Sequence, residues 1–204
     1  MLRLGITGGI ASGKSVVSSI LRELQFHVLD ADRLAHQLTE PGQPAYAEIV
    51  QEFGSEILAP DQNIDRAKLG AIVFADPAKL ARLNAIVHPG VEQATFQQFA
   101  EWQRSSSGVP DAVFVEAALL VEAGFHKSLD GLVVAWCKPE QQLERLIARG
   151  LAEAEARKRI AAQMPVEEKL RFATERIDCS GSLDETRKQV EALAAKLRRH
   201  ASNR

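Results

Sequence analysis

The sequence predicts an α/β fold built on a parallel sheet, and three observations support this prediction. Leu2, Leu4 and Ile6 alternate with other residues and indicate a first strand. Two later segments, residues 112–115 and 132–136, are apolar throughout, as expected of strands covered on both faces. The chain has 204 residues, 46% of them apolar, which is enough for one such domain with its own core.

A glycine-rich segment, residues 8–15, follows the predicted first strand and fits the pattern G-x-x-x-x-G-K-[S/T]. An amphipathic helix is predicted next, from apolar residues at Val17, Ile20, Leu21 and Leu24. This context is typical of a phosphate-binding P-loop, in which backbone N–H groups and a helix N-terminus surround an anion. We expect Lys14 to reach the β- and γ-phosphates and Ser15 to bind Mg²⁺. The alternative is a glycine-rich turn that matches by chance.

A second strand is predicted at residues 26–29 and leads into Asp30-Ala31-Asp32. Ligands of open α/β sheets bind beyond the carboxyl ends of the strands, so both carboxylates are candidates for an acceptor site. Asp30 could instead cap the following helix, with Leu34 and Leu38 on its inner face. Both interpretations stay open at this point.

A helical insertion is predicted over residues 41–104, where no convincing strand occurs. Its apolar patterns are Tyr46, Ile49, Val50 and Phe53; Leu69, Ile72 and Val73; Leu80, Leu83 and Val87; and Phe96, Phe99 and Trp102. Asp76-Pro77 predicts a helix start, and His88-Pro89 predicts a break before the last of these helices. A surface loop is predicted at residues 105–108. So long a helical block suggests a substrate-binding subdomain, although His88 alone would suit an ordinary helix end.

Glu116 follows the apolar third strand and is a candidate for the metal site, because P-loop proteins commonly place an acidic residue there. Contact with the acceptor is the alternative. Glu122 could be a charge on a helix surface or a residue at a domain interface, and the sequence favours neither.

A helix is predicted to open at Pro139 after the fourth strand, with Arg145 and Arg149 on one side of it. This helix carries the apolar residues Leu143, Leu146 and Ile147. Mixed charges follow, and such a segment is most often a solvated face. Phosphoryl transfer also needs cations near the γ-phosphoryl group, so a helical lid carrying these two arginines is our functional hypothesis.

The C-terminal part predicts a short last strand at residues 177–179 and a closing helix. Ser182 and Glu185 form a capping-box signature at the start of that helix. Its inward stripe is predicted to be Leu183, Thr186, Val190, Leu193 and Leu197.

The composition indicates which kinds of binding partner and which cellular location to expect. The formal net charge of −2 gives no basic excess, so nucleic acid is not an expected partner. Cys137 and Cys179 lack metal-ligand spacing and are expected to be buried free thiols. We find neither a membrane-length apolar run nor a signal peptide, and we expect a cytoplasmic protein with no membrane partner.

These motifs, taken together, resemble the dephospho-coenzyme A kinase family of P-loop kinases, nearly end to end. The residues that carry the resemblance are Thr7-Gly8-Gly9-Ile10, Asp30-Ala31-Asp32, Pro41-Gly42 with Pro44-Ala45, Phe53-Gly54, Ile64-Asp65-Arg66, Val73-Phe74, Leu83-Asn84 with His88-Pro89, Leu119-Leu120-Val121-Glu122, Gln142-Leu143, Arg145, Arg149 and Gln163. The P-loop alone is generic. The ordered combination of Asp-Ala-Asp, Pro-Gly-x-Pro-Ala and Asn-x-x-x-His-Pro is specific to this family.

The resemblance implies transfer of the γ-phosphoryl group of ATP to the 3′-hydroxyl of dephospho-CoA, with Mg²⁺ as cofactor. It implies a three-layer α/β/α kinase fold with a five-stranded parallel sheet, a helical substrate-binding insertion and a helical lid. The expected core comprises residues 1–31, 111–139 and 174–204, the CoA subdomain residues 32–110, and the lid residues 140–173. A monomer or weak homo-oligomer is expected.

The resemblance also implies roles for individual residues. Asp32, Lys14 and Arg145 are the expected catalytic residues, with Asp32 as general base. The expected ATP-binding residues are Gly9, Ile10, Ala11, Ser12, Gly13, Lys14, Ser15, Val16, Arg145 and Arg149. The expected substrate-binding residues are Asp32, Arg66, His88 and Glu116. Ser15 would bind Mg²⁺, with Glu116 acting on the metal through water.

Four positions depart from the family's usual pattern. Ala118 stands where the family usually has Pro, and Val16 stands where Thr is frequent. Ala173-Thr174 replaces a usual Ala-Asp pair, and Cys179 replaces a common Asn. We expect Ala118 to alter only the turn after Glu116. The other three departures put adenine and lid contacts in question, and leave the reaction itself unaffected.

Three other functions compete with this hypothesis. Another small-molecule P-loop kinase, such as a nucleoside monophosphate kinase, would differ only in its acceptor pocket. A nucleotide-dependent switch of the GTPase type would need an Asn-Lys-x-Asp motif, which the sequence lacks. An inactive binding module is opposed by the intact Lys14, Ser15 and Asp32.

Overall fold

The structure is a computed structural model that describes residues 1–105 and 111–202, with side chains described as far as residue 199. The chain divides into two compact units, one formed by residues 1–30 and 99–204 and the other by residues 31–98. Of the loop predicted at residues 105–108, Ser105 ends a helix and the rest lies outside the described residues.

The first unit contains the sheet. Its strands are β1 Leu2–Thr7, β2 His27–Asp30, β3 Ala112–Glu116, β4 Gly131–Trp136 and β5 Glu175–Asp178. Its helices are α1 Lys14–Glu23, α6 Pro139–Ala148, α7 Glu153–Ala161, α8 Val166–Lys169 and α9 Leu183–Ser202, with a short 3₁₀ helix at Phe125–Ser128. The second unit contains α2 Ala31–Leu38, α3 Pro44–Phe53, a 3₁₀ helix at Ser55–Ile57, α4 Arg66–Phe74 and most of α5, Pro77–Ser105.

All strand pairs of the sheet are parallel, and the strand order is β2-β3-β1-β4-β5. β1 is the central strand, with β3 on one side and β4 on the other. Because the order reverses direction around β1, the carboxyl end of β1 is where an open α/β sheet binds its ligand. The predicted five-stranded parallel sheet is therefore confirmed. The P-loop follows the carboxyl end of its central strand.

One face of the sheet is covered by α1 and α9. Leu4 and Ile6 of β1 pack there with Val17, Ile20 and Leu21 of α1. The stripe of α9 adds Val190, Leu193, Ala194 and Leu197. Leu183, which we predicted to belong to this stripe, is instead 59% exposed, and that prediction is wrong. Its place in the first turn of α9 explains the error, because a helix end extends beyond the sheet that covers its middle.

The opposite face of the sheet is covered by the chain between β3 and β4. A methyl group placed on Gly5 would lie within 3.0 Å of Leu120, Leu129 and Leu132 side chains, so apolar residues press directly against β1 on this side. Side chains of β3 and β4 are buried on both faces for the same reason.

The second unit has its own apolar core. Ile49 and Phe53 of α3, Ile57, and Leu69 and Val73 of α4 are buried together. Residues of α5 pack against them, namely Leu80, Leu83, Ile86 and Val87. The only pairing of β type within residues 41–104 is an isolated bridge between Leu58 and Ile64, in agreement with the predicted helical block.

The predicted break at His88-Pro89 is wrong, because α5 continues through Pro89 for 29 residues. Proline at this position removes one backbone hydrogen bond and costs about 3 kcal/mol in an isolated helix. Apolar packing on both sides of it outweighs that cost: Val87 packs in the core of the second unit, and Val91 and Phe99 are buried. The predicted helix start at Asp76 is confirmed by its side chain, which accepts hydrogen bonds from the Ala78 and Lys79 N–H groups.

Candidate active site

The P-loop connects β1 to α1 and follows a path that only certain residues permit. A methyl group on Gly8 would lie 2.1 Å from the carbonyl oxygen of Ala135, so the loop passes against β4 without room for a side chain. Gly13 has φ 106°, and a methyl group there would lie 2.7 Å from Sγ of Cys179. Ala11 lies between them with φ 57°. Both glycines of the motif are therefore required by contact or by backbone angle.

The N-terminus of α1 supplies the charge complement for an anion. α1 begins at Lys14, so the N–H groups of Lys14 and Ser15 point out of the helix end, whereas those of Val16 and Val17 donate to the Gly13 carbonyl. Nζ of Lys14 donates to the carbonyl oxygens of Gly8 at 3.3 Å and Gly9 at 3.1 Å, which holds its ammonium over the loop. Ser15 is exposed in the same turn. This arrangement can bind phosphate groups through backbone amides, the helix dipole and one ammonium.

Three side chains from later in the chain hold the loop from outside. Gln142 Nε2 donates to the Ile10 carbonyl at 3.0 Å, and Gln163 Oε1 accepts from the Ile10 N–H at 2.7 Å. Arg145 donates through Nη1 to the Ala11 carbonyl at 3.2 Å and through Nη2 to the Cys179 carbonyl at 2.7 Å. The half-buried Arg145 thus lies at the P-loop, whereas Arg149 is exposed at the C-terminal end of α6.

Two carboxylates lie side by side at the carboxyl edge of the sheet. Asp30 at the end of β2 is in register with Glu116 at the end of β3, and Glu116 is also in register with Ile6 of β1. Neighbouring residues in register point to the same face of a sheet. Glu116 is therefore one strand away from the start of the P-loop, where an oxygen ligand for a phosphate-bound cation is useful.

Glu122 and Lys169 form an ion pair near this edge of the sheet. Lys169 is fully buried, and its Nζ lies 2.8 Å from Glu122 Oε1 and 2.6 Å from the carbonyl oxygen of Ala118. Glu122 also accepts from the Met164 N–H at 3.1 Å. A buried ammonium is stable only with such partners. Glu122 therefore ties the segment after α7 to the turn after β3, and both of these lie in the first unit.

The second unit holds the other predicted site residues. Asp32 is exposed in the first turn of α2, the helix that begins directly after β2. Arg66 is the first residue of α4, and its Nη2 lies 3.5 Å from Thr39 Oγ1. His88 is half-buried in α5, and burial lowers the pKa of its imidazole, which favours the neutral form.

Cys137 and Cys179 are free and buried, as predicted. Burial raises the pKa of the Cys137 thiol, and it raises that of the Cys179 thiol to about 11. Both thiols therefore stay protonated at neutral pH and are poor nucleophiles. Cys179, which stands where the family more often has Asn, packs against Gly13. This departure therefore affects a residue that contacts the P-loop.

The structure brings together the P-loop, Arg145 and Glu116 within the first unit, and places Asp32, Arg66 and His88 in the second. Sequence reasoning assigned no site role to Gln142, Gln163 or Lys169. Gln142 and Gln163 are among the residues that carry the family resemblance, and this was their only signal in the sequence. No pattern indicated Lys169.

Among residues 1–105 and 111–202, no group of three or more His, Cys, Asp or Glu side chains is arranged to hold a metal ion. Within the same residues, no helix has the length and apolar character needed to cross a membrane.

The family profile of dephospho-CoA kinase matches residues 2–185. The chain belongs to this family. The enzyme is accordingly a kinase, and its reaction is the ATP-dependent phosphorylation of dephospho-CoA in coenzyme A biosynthesis. The predicted family and reaction are confirmed.

Individual relatives agree with the family assignment. The chain is 49% identical over 190 residues to a dephospho-CoA kinase of Symbiobacterium thermophilum, covering 93% of this chain and 78% of that protein. It is 46% identical over 194 residues to a dephospho-CoA kinase of Carboxydothermus hydrogenoformans, covering 95% of this chain and 93% of that one.

Solved structures show the same fold. A crystal structure of a Thermus thermophilus protein matches with a TM-score of 0.81 and 34% identity, over 96% of this chain and 97% of that one. A dephospho-CoA kinase from Campylobacter jejuni matches with a TM-score of 0.69 and 26% identity, over 96% of each chain. A shikimate kinase from Acinetobacter baumannii, at 14% identity and a TM-score of 0.53 over 98% of this chain and 94% of that one, shares the fold alone.

Proposed function

We propose that this kinase transfers the γ-phosphoryl group of ATP to the 3′-hydroxyl of the ribose of dephospho-CoA, with the P-loop as donor site and Asp32 as general base. The observation that carries the donor site is the loop itself. Its backbone turns through Gly8, Ala11 and Gly13 at the N-terminus of α1, with the Lys14 ammonium held over it. Residues 9–16 would therefore bind the ATP phosphates.

Phosphoryl transfer requires little covalent chemistry from the protein, because its transition state is stabilised by position and charge. In this proposal Lys14 neutralises charge on the β- and γ-phosphates. Arg145, held beside the loop by its bonds to Ala11 and Cys179, adds a second cation, and Arg149 contributes from the end of the same helix.

Mg²⁺ is part of the proposal. The donor set fits it, because the exposed Ser15 hydroxyl in the first turn of α1 and the Glu116 carboxylate at the end of β3 are hard oxygen ligands. Mg²⁺ takes only a few protein ligands beside phosphates and water. When bound, the ion neutralises phosphate charge. Ser15 would ligate it directly, and Glu116 would hold one of its waters.

The acceptor side rests on the second unit. Asp32 would accept the proton of the attacking 3′-hydroxyl, a role open to an exposed carboxylate. Arg66 and His88 would bind dephospho-CoA. Arg66 offers an exposed guanidinium suited to phosphate groups, and His88 offers a neutral imidazole for hydrogen bonding. The helical unit would thus be the CoA subdomain, and residues 140–173 the lid.

We also propose that the enzyme works in the cytoplasm as a monomer or weak homo-oligomer, without nucleic acid or membrane partners. The formal net charge of −2 supports the absence of a nucleic-acid partner.

The test of the acceptor side is Asp32→Asn. We expect kcat to fall about 10²- to 10⁴-fold, because the amide cannot take the hydroxyl proton, while the Kd for ATP stays near that of the unchanged protein. Asp76→Asn is the matched control: this carboxylate is in the same unit, and Asn caps a helix as well as Asp. An unchanged kcat in Asp32→Asn would remove Asp32 as the base.

A further inference from the structure

Both backbone polar groups of Ile10, the third residue of the P-loop, are held by glutamine side chains. The Ile10 N–H donates to Gln163 Oε1 at 2.7 Å, and the Ile10 carbonyl accepts from Gln142 Nε2 at 3.0 Å. The two glutamines are 153 and 132 residues away in sequence. They come from different segments, α6 and the turn after α7. We call this pair the glutamine clamp.

The contact with α6 is close. Gln142 is 6% exposed, and a methyl group on Gly9 would lie 2.2 Å from its Nε2. No side chain larger than hydrogen fits at Gly9 while Gln142 keeps this position. α6 therefore packs directly on the first half of the P-loop, with an amide group as its point of contact.

The position of Gln163 is fixed by contacts of the residues that follow it in the chain. Glu122 accepts from the N–H of Met164, the next residue, at 3.1 Å. It also pairs with Lys169, whose fully buried ammonium donates to the Ala118 carbonyl as well. The contacts of Met164 and Lys169 hold the segment 163–169 against the turn after β3. Glu122 and Lys169 therefore determine where Gln163 lies relative to Ile10.

The next residue of the loop shows why such support is needed. Ala11 has φ 57°, a left-handed conformation that is unfavourable for a residue with a side chain. Strained backbone of this kind persists only where the surrounding structure determines it. Here the peptide groups before and after Ile10 are fixed by the glutamine clamp, and the Ala11 carbonyl is fixed by Arg145 at 3.2 Å.

We infer that Gln163 and Gln142 are positioning residues for nucleotide binding: they hold Ile10 so that the N–H groups after it face the phosphates, and Glu122 and Lys169 transmit the position of the segment 163–169 to the loop. The inference rests on the proposed donor site for ATP. Affinity for a nucleoside triphosphate then depends on residues that touch none of its atoms.

The first test is Gln163→Met, which keeps the length of the side chain and removes the acceptor. Gln189→Met is the matched control. Gln189 is also half-buried, and it holds the N–H and the carbonyl of a single residue, Asp178 of β5, at 2.9 Å and 2.8 Å. Each variant is measured for KM of both substrates, for the Kd of ATP by calorimetry, and for the midpoint of thermal unfolding.

For Gln163→Met we expect KM and Kd for ATP to rise about tenfold, which corresponds to one lost hydrogen bond, with KM for dephospho-CoA changed less than about twofold. The control should lose thermal stability to a similar extent and keep its ATP affinity. If Gln163→Met loses stability alone and binds ATP normally, Gln163 is a packing residue and the inference fails.

The second test examines transmission from the buried lysine. Lys169→Met replaces the ammonium by an apolar side chain of similar length. Glu122 is partly exposed and keeps its hydrogen bond from the Met164 N–H, which limits the cost of losing its partner. We expect weaker ATP binding in the same direction, and the double variant with Gln163→Met should bind ATP no more weakly than Gln163→Met alone. Additive effects would contradict the coupling between the two residues.

Lys14→Ala separates this inference from the proposed function. If Lys14→Ala turns over normally, the donor site itself is wrong. If Lys14→Ala is inactive and Gln163→Met binds ATP with unchanged affinity, the donor site stands and only the glutamine clamp is refuted.

Discussion

Lys14 contributes its charge to the donor site and little to the packing of the core. Its ammonium donates to two carbonyl groups of the loop, and these bonds can be exchanged for phosphate oxygens without moving the backbone. Its side chain contributes little to the core, because it lies in the first turn of α1 and is only half-buried.

We therefore predict that Lys14→Ala lowers kcat about 100-fold or more, as expected for loss of a group that stabilises transition-state charge, and leaves thermal unfolding nearly unchanged. Lys188→Ala, at an exposed position of α9, is the control and should keep full activity. Steady-state kinetics and thermal unfolding of both variants check the prediction. Normal turnover in Lys14→Ala would refute the assignment of residues 8–15 as the donor site.

The residues of the P-loop could be predicted from the sequence because their chemistry is local. Gly8, Gly13, Lys14 and Ser15 are required by a strand, a turn and a helix that follow one another in the chain. The residues that support the loop could not be predicted in this way. Gln163 reaches Ile10 over 153 residues, and this contact depends on how α6, α7 and the sheet pack together.

At the scale of elements, the caps decide where helices begin. Asp65 and Asp76 each accept two hydrogen bonds from backbone N–H groups in the first turns of α4 and α5. These start signals are short-range, so they are readable from the sequence. The continuation of α5 through Pro89 cannot be read in this way, because it depends on apolar packing before and after Pro89 that no local pattern contains.

The cap at Asp76 gives a prediction for the long helix. Asp76→Ala should lower the free energy of unfolding by about 1 kcal/mol, because two N–H groups lose their acceptor, whereas Asp76→Asn should cost almost nothing. Urea unfolding followed by circular dichroism measures both values. Equal losses in the two variants would show that the charge of Asp76, and not its role as a cap, stabilises α5.

At the scale of the whole molecule, the fold class was predictable because the strands are apolar and the P-loop fixes the place of β1 and α1. The two units have separate apolar cores, one between the sheet, α1 and α9, the other among α3, α4 and α5. The helical unit carries Asp32, Arg66 and His88, the residues for which we propose roles toward the acceptor.

The most direct test of this account is the identity of the phosphorylated product. Purified protein is given Mg-ATP with dephospho-CoA, adenosine, AMP, CMP or shikimate in separate reactions, and ADP release is measured together with the mass of each acceptor. We predict a mass gain of one phosphoryl group on dephospho-CoA alone, at the 3′-hydroxyl, with an equal amount of ADP. Phosphorylation of another acceptor in its place, or ATP binding without any product, would contradict the account.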